Sequence, residues 1–299
     1  MRCLRKVHRF FGALLLGTSS IAQVAGVDHV LVIGVDGLSP RGIEESATPH
    51  IDALVRQGAS TMRARAVMPT SSSSNWASMI MGAGPEQHGV TSNDWQPDKY
   101  AIAPTVTGPG GIFPTIFSVL REQRPGLHMA VIHDWSDFAR LVEQDALNFI
   151  GNPKGAELTA QRAREYIKEH KPGFLFVHLD HVDHAGHDKG WHTPEYNEAV
   201  EQADAYIGAM LEALDNAGIR GRTVVLVTSD HGGKNKGHGG STMEEIEIPW
   251  IIAGPGVARG KKIGLPVDTF QTASTIAYIF GVKQPDAWIA RPVMEAFTN

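Results

Sequence analysis

Cysteine is nearly missing from this chain: 299 residues contain one, Cys3, close to the start. A disulfide framework and thiolate-rich metal centres are therefore excluded, and the fold must rest on its core. Basic residues are also scarce. Acidic residues outnumber them 32 to 27, the net charge is −5, and no block of Lys and Arg occurs. That balance argues against general nucleic-acid binding. No apolar run approaches the ~20 residues that a membrane span requires, and no internal repeat is visible. With 42% hydrophobic and 20% charged residues, the composition is that of a globular protein long enough to bury a large core.

The first residues differ from the rest. "MRCLRKVHRF" holds four basic residues and no acid, "FFGALLLG" is a short apolar run, and "SSIAQVAG" supplies small residues, Ser20 and Ala22 best placed for cleavage. Residues 1–22 are thus expected to be a signal peptide, cleaved between 22 and 26, with residues 27–299 forming one exported domain, periplasmic or secreted. No lipobox cysteine supports a lipid anchor. Cleavage would remove Cys3 and four positive charges, leaving 23 basic against 32 acidic residues, near −9. An anionic substrate must then be attracted locally, and a metal ion would do so.

Strand and helix signals alternate along the remainder. "HVLVIGVDG" (29–37), "LHMAVIH" (127–133), "GFLFVHLD" (173–180), "RTVVLVTSD" (222–230) and "IPWIIAG" (248–254) are continuous apolar runs that predict strands buried on both faces. "TPHIDALVRQG" (48–58), with a Thr cap and Pro49, predicts a helix, as do "GAELTAQRAREYIKEH", "TPEYNEAVEQADAYIGAMLEALDNAG" and "DTFQTASTIAYIFG". The pattern predicts an α/β fold, a mostly parallel central sheet with helices on both faces, in a single domain. "APTVTGPGG" (103–111) reads as a loop or lid.

Asp36, Asp180 with Asp183, and Asp230 with His231 all fall just past predicted strand ends, where an open α/β sheet binds its ligands. "HLDHVDHAGHDKGWH" (178–192) and "SDHGGKNKGHGG" (229–240) are dense in imidazole and carboxylate, a donor set suited to Zn2+ or Mn2+. A single histidine would more simply be a solvated loop residue. Two clusters and an Asp-Gly strand end favour a metal centre, with glycines letting ligands crowd together. Spacing does not decide among His178, His181, His184, His187 and His192.

The order "VDG", "PTSSSSNW", "GPEQHGVTSND", "DHVDHAGH", "TSDHGGKNKGHGG" resembles the alkaline phosphatase superfamily, and within it the type I phosphodiesterase/nucleotide pyrophosphatase branch. The resemblance covers essentially the whole chain after the leader. It implies two divalent ions, most simply Zn2+, with Mn2+ the alternative. Asp36, Asp230 and His231 would hold one together with the nucleophile hydroxyl. Asp183, His187 and His238 would hold the other, through the D-x-x-G-H pattern of "DHAGH". Asp180, His181 and His184 are then neighbours rather than ligands.

The family's nucleophile stands three residues before an asparagine, which selects Ser72 before Asn75, although Ser74 replaces the usual proline. Thr70 and Ser71 are the alternatives. "SSNWASMIMG" reads as a helix ending at Gly82, and a hydroxyl at its start sits beside free backbone N–H groups and the positive dipole end. The other serines would merely open that helix. The resemblance implies a phosphoserine on Ser72, with bonding to metal lowering the hydroxyl pKa. Asn93 would donate to a non-bridging phosphate oxygen, the simpler alternative being a turn asparagine.

The sulfatase pattern C/S-x-P-x-R is missing at "SSSSNW". No arginine lies near Ser72 in sequence, Arg63 and Arg65 being closest, which favours phosphodiesters or pyrophosphates over monoesters. Lys234 or Lys236 could supply the missing charge, and phosphonate hydrolysis shares the ligand set. Trp95, Trp135 and Trp191 are expected in the core or pocket wall, or stacked on a leaving group. A non-catalytic metal-binding member is the remote alternative. The implied partner is a small phosphorylated substrate.

Overall fold

The computed structural model describes residues 23–298, so the expected signal peptide lies outside the described residues. Eight strands form one sheet: β1 (His29–Val35), β2 (Ala59–Arg65), β3 (Met129–His133), β4 (Phe149–Gly151), β5 (Phe174–Leu179), β6 (Thr223–Thr228), β7 (Glu247–Ala253) and β8 (Lys261–Lys262). Their order is β4-β3-β5-β1-β6-β7-β2-β8. The pairings are parallel except where β7 meets β6 and β2. The helices are α1 (Pro40–Glu45), α2 (Pro49–Gln57), α3 (Ser72–Met81), α4 (Pro85–His88), α5 (Ile116–Gln123), α6 (Ala156–His170), α7 (His181–Lys189), α8 (Pro194–Asn216), α9 (Met243–Ile246) and α10 (Gln271–Phe280).

The apolar strand runs are continuous because both faces are covered. In β1, Val30 and Val32 pack on the side of α3, α5 and α10, while Leu31, Ile33 and Val35 pack on the side of α2, α6 and α8. Phe174 and Phe176 against Leu175 and Val177 repeat the alternation in β5. The side-chain period of two thus feeds two cores from one sheet.

Three elements differ from or add to what the sequence predicts. The expected strand 248–254 forms, as β7, but runs antiparallel to β6. Thr48 occupies the N-cap position of α2 without a side-chain cap bond; Asp204 from α8 accepts from His50 N (3.2 Å) and Ile51 N (2.7 Å) instead. The His-rich segment, which has no helical apolar period, forms helix α7.

Candidate metal centre

β1 lies between β5 and β6, with Gly34 opposite His178 on one side and Thr228 on the other. Aligned parallel strands end at one level, so the residues that follow them meet. Asp36 follows β1, Asp180 and α7 follow β5, and Asp230 and His231 follow β6. In α7, Asp183 and His187 are four residues apart and therefore share a helix face.

His231 Nε2 lies 3.3 Å from Asp36 Oδ1, 3.2 Å from Asp230 Oδ2 and 3.3 Å from Ser72 Oγ. Asp183 faces two imidazoles: His187 Nε2 is 3.4 Å from its Oδ2, and His238 Nε2 is 3.6 Å from its Oδ1. The rings of His231 and His238 stack at 3.7 Å. Ligand atoms of Asp36, Asp230 and His231 all fall within 4.8 Å of one another, as do those of Asp183, His231 and His238, and those of Asp36, His178 and Asp180.

The tautomers follow from the backbone. Nδ1 of His231 lies 2.8 Å from Gly232 O, Nδ1 of His187 3.0 Å from Lys236 O, and Nδ1 of His238 2.7 Å from Thr70 O. A carbonyl only accepts, so each Nδ1 donates, and Nε2 is the nitrogen that each ring turns toward a carboxylate. Lone pair against carboxylate oxygen is repulsive unless a cation lies between them. Burial, with His231 next to it, pushes the His238 imidazole down to about 3, so at neutral pH that cation is not a proton on His238.

The carboxylates require positive charge as well. Asp36 Oδ1, Asp183 Oδ1 and Asp230 Oδ2 are buried and accept no hydrogen bond. Burial, reinforced by mutual repulsion, raises Asp36 to about 6, Asp183 to about 7 and Asp230 to about 8. Crowded carboxylates without counter-charge resist ionisation, and divalent cations reverse that. Oxygen and imidazole-nitrogen donors in this arrangement fit divalent cations of the Zn2+ or Mn2+ kind. The other oxygen of Asp36 is already satisfied: Trp76 Nε1 donates to Oδ2 at 3.0 Å, and His178 Nε2 lies 3.2 Å from it. Trp76 reaches it from α3 across Gly34, where a Cβ would come within 2.5 Å of the indole ring.

Of the five hydroxyls from Thr70 to Ser74, one faces the cluster. Thr70 Oγ1 donates to Gly240 O and accepts from Gly239 N, Ser71 and Ser74 pair with each other, and Ser73 Oγ accepts from Arg140. Ser72, the first residue of α3, has its Oγ on His231. Asn75 staples the approach: its Oδ1 accepts from Val67 N and its Nδ2 donates to Val67, Pro69 and Ser71 carbonyls. Asn93 lies beside this turn, with Oδ1 accepting from Ser73 N at 2.9 Å.

Arg140 corrects the expectation that no arginine approaches Ser72. It belongs to a 3-10 segment, Ser136–Leu141, after β3, and its Nη2 reaches Ser73 Oγ at 3.0 Å and Asn93 O at 2.5 Å. Separations of 67 and 47 residues left no local signal for it. Two expected substrate contacts fall elsewhere. Trp95 is 5% exposed within the core, without an open face for stacking, and Lys234 Nζ is 2.7 Å from Glu244 on the surface. Trp191 lies in the core on the α8 side of the sheet, and Trp135 is partly buried against the core on the α3 side. His184 pairs with Asp180 at 3.0 Å, and His181 Nε2 meets Ala199 O.

Known proteins share both sequence and fold. The sequence profile of the family described as type I phosphodiesterase / nucleotide pyrophosphatase matches residues 30–238. The chain belongs to this family, and its fold is shared with an alkaline phosphatase, PafA, at a TM-score of 0.77 and 11% identity. It is 24% identical over 235 residues to the venom phosphodiesterase of Macrovipera lebetinus, covering 72% of this chain and 27% of that protein. It is 30% identical over 156 residues to the steryl-sulfatase of Rattus norvegicus, covering 42% and 26%. The solved structure of murine ectonucleotide pyrophosphatase/phosphodiesterase 5 in complex with AMP superposes with a TM-score of 0.72 at 14% identity, covering 86% of this chain and 96% of that one. The chain spans less than half the length of the curated relatives it matches.

Proposed function

We propose that the protein is an exported, metal-dependent hydrolase of phosphodiester or pyrophosphate bonds, working through a phosphoserine on Ser72. One observation carries this reading: of five adjacent hydroxyls, only Ser72 Oγ points at the His231–Asp36–Asp230 cluster. Asp36, Asp230, His231 and Ser72 would hold one divalent cation, and Asp183, His187 and His238 the other. When bound, the cations lower the Ser72 hydroxyl pKa and stabilise charge on the leaving oxygen. Ser72 Oγ forms the new O–P bond as the bond to the leaving alcohol or phosphate breaks, and the proton shed by the serine passes through solvent to the leaving group. Water then hydrolyses the phosphoserine and restores the hydroxyl. The opening turn of α3 offers N–H groups to the phosphoryl oxygens, and the Asn93 amide adds a donor worth about 3 kcal/mol in comparable sites.

The substrate is a small phosphorylated molecule, and the AMP held by the murine structural neighbour supports a nucleotide. Absence of the sulfatase pattern at Ser72–Ser74 weighs against sulfate esters. A phosphomonoester is the second reading, since Arg140 brings a cation one residue from Ser72, but its terminal nitrogens are already held by Ser73, Asn93 and Asp137. Acid quenching during turnover of a nitrophenyl phosphodiester, followed by peptide mass analysis, tests the proposal. The phosphoryl group is expected on Ser72; on Thr70 or Ser71 it would refute the assignment.

A further inference from the structure

Both terminal nitrogens of the Arg140 guanidinium are held by protein partners, and its Nε is buried without one. Its Nη1 meets Asp137 Oδ2 at 3.0 Å, its Nη2 bridges Ser73 Oγ and Asn93 O, and its plane lies 5.7 Å from the centre of the Trp135 ring. The side chain is 12% exposed, and Asp137 offsets its charge. A guanidinium placed to read a dianionic phosphate would keep a face free for it. Asn93, by contrast, sits on an exposed stretch without regular structure. It is fixed at two points, its side-chain Oδ1 by Ser73 N and its backbone carbonyl by Arg140. With Oδ1 occupied, the Nδ2 donors turn away from Ser73 N, and among the described residues they meet no protein acceptor.

We propose that Arg140 is a positioning residue: it fastens the Asn93 loop to the first turn of α3, so that the Asn93 amide and the Ser72 hydroxyl keep one fixed relation. The inference rests on the proposed role of Asn93 as a phosphate-oxygen donor. The planar fork explains the choice of arginine, since a lysine ammonium on a flexible stem does not hold the hydroxyl, the carbonyl and Asp137 in one plane.

A double-mutant cycle tests it, with kcat and KM measured on a phosphodiester and a phosphomonoester for wild type, Asn93→Ala, Arg140→Ala and the pair. Misplacing a transition-state donor by ~1 Å costs up to about 100-fold, so Arg140→Ala should lower kcat by roughly 10- to 100-fold with little change in KM. In the Asn93→Ala background the same change should cost less than about 3-fold, because its target is gone. The diester-to-monoester ratio should hold, and Arg140→Lys should recover only part of the loss. Equal losses in both backgrounds overturn the inference, as does a selective loss of monoester turnover, which would put the guanidinium on substrate. If Asn93→Ala alone leaves kcat intact, the Asn93 role itself fails, and the inference with it. Arg140→Gln replaces Arg140→Ala if the alanine variant does not fold.

Discussion

Each of His187, His231 and His238 has its Nδ1 bound to a main-chain carbonyl, so backbone geometry decides which nitrogen faces the carboxylates. For His238 that carbonyl belongs to Thr70, whose hydroxyl also brackets Gly239 and Gly240. Thr70 therefore ties the serine run to the loop that carries His238, a proposed metal ligand. Removing such a supporting contact usually weakens metal affinity by about 10- to 100-fold. Thr70→Val should accordingly weaken retention of one cation against a chelator by roughly that factor, while turnover at saturating metal stays within about 10-fold of wild type. Abolished turnover at saturating metal would instead make Thr70 the attacking group.

Helix α3 links one of the two cores of the fold to the site. Its first residue presents Ser72, and Trp76 one turn later crosses β1 over Gly34 to bond Asp36. A methyl at Gly34 would overlap the indole, and overpacking of this kind costs about 1–3 kcal/mol. Gly34→Ala should lower stability by that amount in urea unfolding, and should reduce turnover by drawing the indole N–H from Asp36. Unchanged stability would mean that Trp76 moves aside freely.

The core strands and the long helices were legible because burial on both faces leaves unbroken apolar runs, and a buried helix face repeats every three to four residues. Helix α7 was not, since His181, Asp183, His184 and His187 occupy its positions and leave no apolar period. Nor was the antiparallel course of β7, because a doubly buried strand reads the same in either direction. Asp36, Asp183, Asp230 and His231 were legible from their places past strand ends, whereas His187 and His238 were picked out only by the family resemblance. Arg140 was hidden because its partners lie far away in the chain.

For the molecule as a whole, the excess of acidic residues and the three buried carboxylates point to the same requirement. Asp36, Asp183 and Asp230 sit within the sheet's crevice, each with an unpartnered oxygen, and the Nε2 atoms of His187, His231 and His238 face them. The sheet brings four distant segments to one point, which the proposed cations would complete. Protein stripped by a chelator should melt lower than the loaded form: saturation at 100 times Kd is worth about 2.7 kcal/mol per site. The most direct measurement is zinc binding and phosphodiester turnover in stripped wild type and Ser72→Ala, side by side. Both should take up two equivalents of zinc and regain thermal stability. Turnover should return in wild type alone, with the variant at least ~1,000-fold slower. A Ser72→Ala protein that binds zinc and keeps more than about a tenth of wild-type turnover would contradict the account.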